Sequence, residues 1–371
     1  MTYVIGLDIG TTSTIGILIG LPDRVLATVS RPVTLHSLKA GWAEEDPDQW
    51  WDNVRQIIPE LIAQGGIAAR DVAAVGVSGM LPALVALDAE NNVVRRSIQQ
   101  SDGRNGAEVA ELQAELDAGA FTARAGNGVN QQLIAAKLRW LEKNEPENFA
   151  RIATIFGSYD FINWKLTGVK AVEQNWALEA GFVDLATGDL ADDLIALGHI
   201  ARGVVPPKVA SHAVMGHVTA EAAAATGLPE GIPVAGGAAD HIASGFAAGV
   251  TQPGDVLLKF GGAADILIAT KEARPDARMF LDHHLVPDLY MPNGCMASGG
   301  SALNWFVAKI AQGEKPAADA AGISLHRHLD LIAAETPPGA DGVQIIPYFL
   351  GEKTPIHDPH ARGIIHGLSL N

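Results

Sequence analysis

Residues 3–19 read YVIGLDIGTTSTIGILI. Two β-rich runs, YVIGLDIG and TIGILIG, flank a turn carrying Thr11, Thr12 and Ser13, and RVLATVSRPV follows as a third strand. The chain therefore opens on a sheet led by a hairpin. Working outward, an apolar-rich helix is expected from about Asp48 to Ala63, then a strand over VAAVGVSG, then ALVALD and a turn at Glu90-Asn91-Asn92. Helical stretches dominate from about Gly106 to Leu166, with a break at Pro146. The segment GIPVAGGAAD, ending at Asp240, reads as one strand that delivers an Asp to the start of a helix, HIASGFAAGV.

Pro and Gly cluster at Thr251-Gln252-Pro253-Gly254, and a fresh strand, DVLLKFGG, begins there. The expected domains are thus 1–249 and 250–371, and 371 residues suit two cores of ordinary size with a cleft. The passages LDIGTT and LKFGGAA echo each other weakly, as duplicated halves would.

Hydrophobic residues make up 48% and charged residues 18%, a globular balance rather than a disordered one. No apolar run approaches the roughly 18 to 20 residues of a membrane span. The N-terminus lacks a basic n-region and holds Asp8 inside its apolar stretch, so it does not read as a signal peptide. A single cysteine, Cys295, forms no intrachain disulfide, and a reducing, cytoplasmic setting is expected. The net charge of −16 makes nucleic acid and anionic membranes poor partners, leaving a small molecule in a cleft. Oligomeric state is left open, with a homodimer carried as an expectation.

Three passages offer chemistry. In Asp8-Ile9-Gly10-Thr11-Thr12 a carboxylate closes a strand, glycine permits a tight turn, and hydroxyls with exposed backbone N–H groups can bind a phosphate tail. Asp8 could hold Mg²⁺ through water; an ordinary hairpin turn reads the same residues equally well. There is no GxxxxGK[ST] phosphate loop. Asp240 at a strand end could accept the proton of a hydroxyl attacking a γ-phosphate, against the simpler reading of a helix N-cap. Phe260-Gly261-Gly262-Ala263-Ala264 has the small residues that let backbone approach a second phosphate, or that pack a plain bend. His283, His284, His326, His328, His357 and His360 lack the spacing of a metal site.

Together, LDIGTTS, Gly41-Trp42-Ala43-Glu44 leading to Asp46-Pro47 and Trp50-Trp51, VGVSG before Met80, and Asp102-Gly103-Arg104 resemble the N-terminal half of the FGGY carbohydrate kinases. Lys137-Leu138-Arg139-Trp140-Leu141, Leu166-Thr167-Gly168, GIPVAGGAAD, and Gly351-Glu352-Lys353-Thr354-Pro355 with Asp358 and Ala361-Arg362-Gly363 continue the resemblance in order. It implies an α/β protein of two ribonuclease-H-like domains, as in the actin and hexokinase superfamily, with mixed sheets flanked by helices. It further implies ATP and Mg²⁺ as cofactors and a sugar held mainly by the first domain. Asp240 would be the general base. Asp8, Gly10, Thr11, Thr12 and Ser13 would serve Mg²⁺ and phosphate, and Gly261 and Gly262 the second phosphate turn. Gly300 and Asn304, within GGSALNW, match positions on the adenosine side. Met80, Leu81, Asp102 and Asp240 fall where the family binds substrate.

The departures bear on the substrate. Met80-Leu81-Pro82 stands where kinases of the xylulose type show Gln-Met-His, so a sugar-contacting imidazole is absent, and it cannot replace the Arg-Glu pair of glycerol kinases. A pentulose resembling xylulose is the expected substrate. Gly262 and Ala263 replace the Thr and Ser of the usual second phosphate turn. Relatives continue past Asn371, so the second domain is expected to be incomplete, and a catalytically silent sugar-binding fragment is the alternative reading.

Overall fold

The computed structural model describes residues 2–349, 351–356, 358 and 360–369. His357 and Pro359, singled out above, lie outside the described residues. The chain divides into two compact units, Met1–Pro253 with Ala269–Pro292, and Gly254–Ile268 with Asn293–Asn371.

Alternation builds the first unit. In β1 (Tyr3–Ile9) Ile5, Leu7 and Ile9 are buried on one face, while Val4, Gly6 and Asp8 point to the other. β2 (Ser13–Gly20) and β3 (Arg24–Pro32) complete an antiparallel meander. Helix α1 (Pro47–Gly65) then crosses back; Asp46 accepts from the Asp48 N–H as its N-cap, Pro47 opens the first turn, and Gly66 ends it at φ 64°. Its buried stripe of Trp50, Val54, Ile57, Ile58 and Leu61 repeats at helical spacing. β2 makes room for that stripe with a glycine, since a Cβ on Gly16 would lie 2.3 Å from Ile57 and 2.8 Å from Leu61. β4 (Val72–Gly79) lies parallel beside β1, as a crossover helix requires.

After a helical stretch that includes α2 (Ile134–Asn144), α3 (Ser158–Thr167) and α4 (Gln174–Glu179), β5 (Val214–His217), β6 (Pro233–Ala235) and β7 (Ala238–Ala239) complete the sheet. Its order is β5-β6-β4-β1-β2-β3, with β7 also paired to β4. GIPVAGGAAD is therefore two short strands rather than one. Gly237 sits at φ 110°, and a Cβ on Gly236 would meet the Ala210 carbonyl oxygen at 2.2 Å, so the backbone breaks between them. Helix α5 (Asp240–Ala247) follows at once. The sheet face opposite α1 lines an apolar cavity of about 700 Å³, bordered by Gly6, Ile15, Ile17, Gly76 and Phe246, with Asp8 among its lining residues.

In the second unit β8 (Val256–Phe260) and β9 (Ala264–Ile268) form another antiparallel hairpin. The chain next passes through β10 (Phe280–His283), which belongs to the first unit, and β11 (Tyr290–Met296), whose residues 293–296 pair with β9. Helix α6 (Gly300–Lys309) follows. The echo between LDIGTT and LKFGGAA is real at backbone level. In each hairpin turn a glycine N–H closes the loop, Gly10 onto the Ser13 oxygen at 3.1 Å and Gly261 onto the Ala263 oxygen at 2.9 Å.

Candidate active site

Two carboxylates far apart in sequence come to the same end of one sheet. Asp8 pairs with Ser78 across the parallel β1–β4 ladder, and Ser78 pairs on its other side with Ala238, two residues before Asp240. The Ser78 hydroxyl donates to Asp8 Oδ1 at 2.7 Å, fixing that carboxylate at the strand end. The turn after it is compact: Thr11 Oγ1 lies 3.5 Å from Met80 Sδ, the Val33 N–H donates to the Thr12 oxygen at 3.0 Å, and Ser13 begins β2. A Cβ on Gly10 would meet the Ser13 oxygen at 3.1 Å, a tight approach that glycine relieves.

Asp240 is not an N-cap. Ala239 caps α5 without a side-chain bond, and Asp240 takes the first helical position. Its Oδ1 accepts from the backbone N–H of His241 at 2.6 Å, and its side chain is about half exposed at 47%. His241 connects this carboxylate to a buried one: Nδ1 is 3.3 Å from Asp240 Oδ1 and Nε2 is 3.0 Å from Asp282 Oδ2 on β10. Glu179, at the end of α4, completes a group whose ligand atoms lie within 4.8 Å of one another. Burial opposes a charge on His241, but its bonds to Asp240 and Asp282 prevail and hold the imidazole pKa well above its usual range. Sequence reasoning missed His241, Asp282 and Glu179. The only local signals were the Asp240-His241 step and the Asp282-His283-His284 run.

The remaining candidates in the first unit lie deeper. Met80 and Leu81 are buried, the Met80 N–H donating to the Ile9 oxygen and its carbonyl accepting from Ser158 Oγ. Asp102 is fully buried and both its oxygens have donors: the Ala43 N–H at 2.6 Å, and Arg104 through Nε at 2.8 Å and Nη2 at 2.7 Å. The Arg104 guanidinium also stacks 3.8 Å from the Trp42 ring and pairs with Glu44. Nearby, Lys137 is wholly enclosed, donating to the carbonyls of Pro82 and Gln99, and burial lowers its pKa to about 7 against the pull of Asp102 and Glu179. It holds the segment after β4 in place from below.

In the second unit the glycines converge. Gly299 and Ser301 N–H groups donate to the Gly262 oxygen, and the Gly300 N–H to the Gly261 oxygen at 2.8 Å. A Cβ on Gly299 would lie 2.4 Å from the Ala263 oxygen and one on Gly300 2.5 Å from the Gly261 oxygen, so the β8–β9 turn and the start of α6 touch backbone to backbone. Asn304 is exposed one turn along α6. Among the histidines considered for metal, the ring of His284 accepts from the Val286 N–H at Nδ1 and bonds the Val250 oxygen through Nε2, and His328 bonds Glu314. Both of these rings have an ordinary structural partner.

Comparison with known proteins agrees with this layout. The pattern of the FGGY family of carbohydrate kinases, N-terminal domain, matches residues 3–247, and that of the C-terminal domain matches residues 265–371. The xylulose kinase of Bacillus subtilis (strain 168) is 28% identical over 370 residues, covering 99% of this chain and 72% of the relative. The crystal structure of xylulose kinase from Rhodospirillum rubrum superposes with a TM-score of 0.93 at 60% identity, covering 99% of this chain and 73% of that one. A gluconate kinase from Lactobacillus acidophilus aligns with a TM-score of 0.89 at 25% identity, over 100% of this chain and 73% of that one. Two glycine-turned hairpins, two carboxylates at one end of the first sheet and these matches agree: the chain is a carbohydrate kinase with the two-domain, actin- and hexokinase-like fold, and it belongs to the FGGY family.

Proposed function

We propose that this chain transfers the γ-phosphoryl group of ATP to a primary hydroxyl of a pentulose such as xylulose. The observation that carries the reading is the register Asp8–Ser78–Ala238, which brings a cation-holding carboxylate and a proton-accepting one to the same end of one sheet. The relatives named xylulose kinases support the choice of sugar.

The residues suit Mg²⁺ and ATP. Asp8 would hold the cation through water, and the Gly10–Ser13 and Gly261–Gly262 turns, each closed by its first glycine N–H, would serve phosphate with little side-chain bulk. Gly300 and Asn304 would lie toward the adenosine. When bound, Mg-ATP supplies the transferable phosphoryl group and the counter-charge for it. Asp240 takes the proton of the attacking hydroxyl; Met80 and Leu81 border the sugar, and Asp102 shapes that border through Arg104. Positioning and electrostatics carry the rate, as expected for a loose phosphoryl transition state.

The test is coupled ADP release with Mg-ATP and a panel of xylulose, ribulose, gluconate and glycerol. Release fastest with xylulose supports the reading, release with gluconate alone reassigns the substrate, and no sugar-dependent release overturns it.

A further inference from the structure

The site holds one feature that the phosphoryl-transfer reading does not use, the imidazole locked between two carboxylates. His241 bonds Asp240 Oδ1 through Nδ1 at 3.3 Å and Asp282 Oδ2 through Nε2 at 3.0 Å. Ionised carboxylates only accept hydrogen bonds, so both ring nitrogens must carry protons for both bonds to exist. With both acids ionised, the geometry therefore calls for an imidazolium between an exposed acid and a buried one. Glu179 adds a third carboxylate from α4, its ligand atom within 4.8 Å of those of His241 and Asp282, with Lys137 acting electrostatically on Glu179 and His283 on Asp282.

Asp282 is fully buried, and the strand carrying it is held unusually firmly. On one side of it Asn127 takes both backbone groups of Leu281, accepting from its N–H at 2.9 Å and donating to its oxygen at 3.0 Å. On the other side Asn175 does the same for His283, at 2.6 and 3.0 Å. Two side-chain amides thus take the place of a neighbouring strand along one edge of β10, flanking one acid. That rigidity passes through the ring to Asp240, whose Oδ1 is held by the imidazole and by the His241 backbone N–H together.

We infer that His241 is a positioning residue, anchored by Asp282, that fixes the rotamer of Asp240. A half-exposed Asp at the start of a helix would otherwise sample several rotamers. The inference rests on the role of Asp240 proposed above.

The test uses two variants of the full chain, His241→Ala and Asp282→Asn, and two kinds of readout. In steady-state kinetics with the best sugar of the panel, both variants are expected to lower kcat by about tenfold to a hundredfold, the range for losing a supporting partner, while KM for the sugar changes little. In Asp282→Asn the alkaline limb of the kcat profile should move to lower pH, because the imidazolium has lost the buried anion that holds its proton. His241→Ala in an Asp240→Asn background should add little, since the supported group is already gone. Wild-type kcat and an unmoved pH profile in both variants overturn the inference. The second readout needs no turnover: ¹⁵N spectra of labelled histidine should show both ring nitrogens of His241 protonated at neutral pH in the wild type, and one of them losing its proton in Asp282→Asn. A neutral ring in the wild type also overturns the inference. If the wild type phosphorylates no sugar, the proposed function fails, and these spectra alone decide the imidazolium bridge.

Discussion

Asp240→Asn keeps the size of the side chain and removes its basicity. Turnover in the ADP-release assay should fall by orders of magnitude while sugar binding by calorimetry stays close to wild type; near-normal turnover would remove Asp240 from its role. A second residue gives a prediction about stability. Glu45 is completely buried, with Oε2 accepting from the Trp50 indole at 2.9 Å, and burial raises its pKa from 4.5 to about 8 despite that bond. Between those values the folded chain keeps a proton that the unfolded chain has lost. The group's contribution is therefore present below about pH 4.5 and lost as pH rises to about 8, by at most roughly 1.4 kcal/mol per pH unit. Glu45→Gln, which resembles the protonated acid, should flatten that decline, so urea midpoints at pH 5 and pH 8 should differ less in the variant than in the wild type. At this scale the sequence singled out Asp8 and Asp240 because each lies near a strand end in a glycine-containing stretch. It concealed the Asp282–His241 bond, because 41 positions of chain separate the two residues with no periodic spacing to link them.

At the scale of elements, contact between α1 and β2 decides whether the first sheet acquires a core. At Gly16 the two approach closely, and Gly16→Val would push its side chain into Ile57 and Leu61. A loss of about 1–3 kcal/mol is expected from urea unfolding, and Ile57→Ala in the same chain should return part of it by opening space. A Gly16→Val chain as stable as wild type would show that α1 can slide away at no cost. The hairpins, α1 and the strand at Val72–Gly79 were legible because period-two alternation, an Asp-Pro start and a terminal glycine are local signals. The break at Gly236–Gly237 was not, since its causes are the left-handed backbone of Gly237 and the approach of Ala210 from 26 residues earlier. Nor could pattern alone show that Asp240 follows its cap rather than forming it, a difference of one residue at a helix start.

For the whole molecule, the path of the chain matters more than the seam expected near residue 250. The first unit ends at Pro253, yet it also takes back residues 269–292, and with them Asp282 and the backbone that Asn127 and Asn175 hold. A fragment of residues 1–253 should therefore unfold at lower urea than a fragment of residues 1–292 with a flexible linker in place of 254–268. Its His241 signal should also titrate as an ordinary imidazole; equal midpoints for the two fragments would show that the returned stretch adds nothing. The same path limits recombination between relatives. A chimera that joined one kinase's first unit to another's second unit at a single crossover near residue 253 would split the two acids that hold His241 between two parents, so a working exchange has to carry two separate stretches of gene.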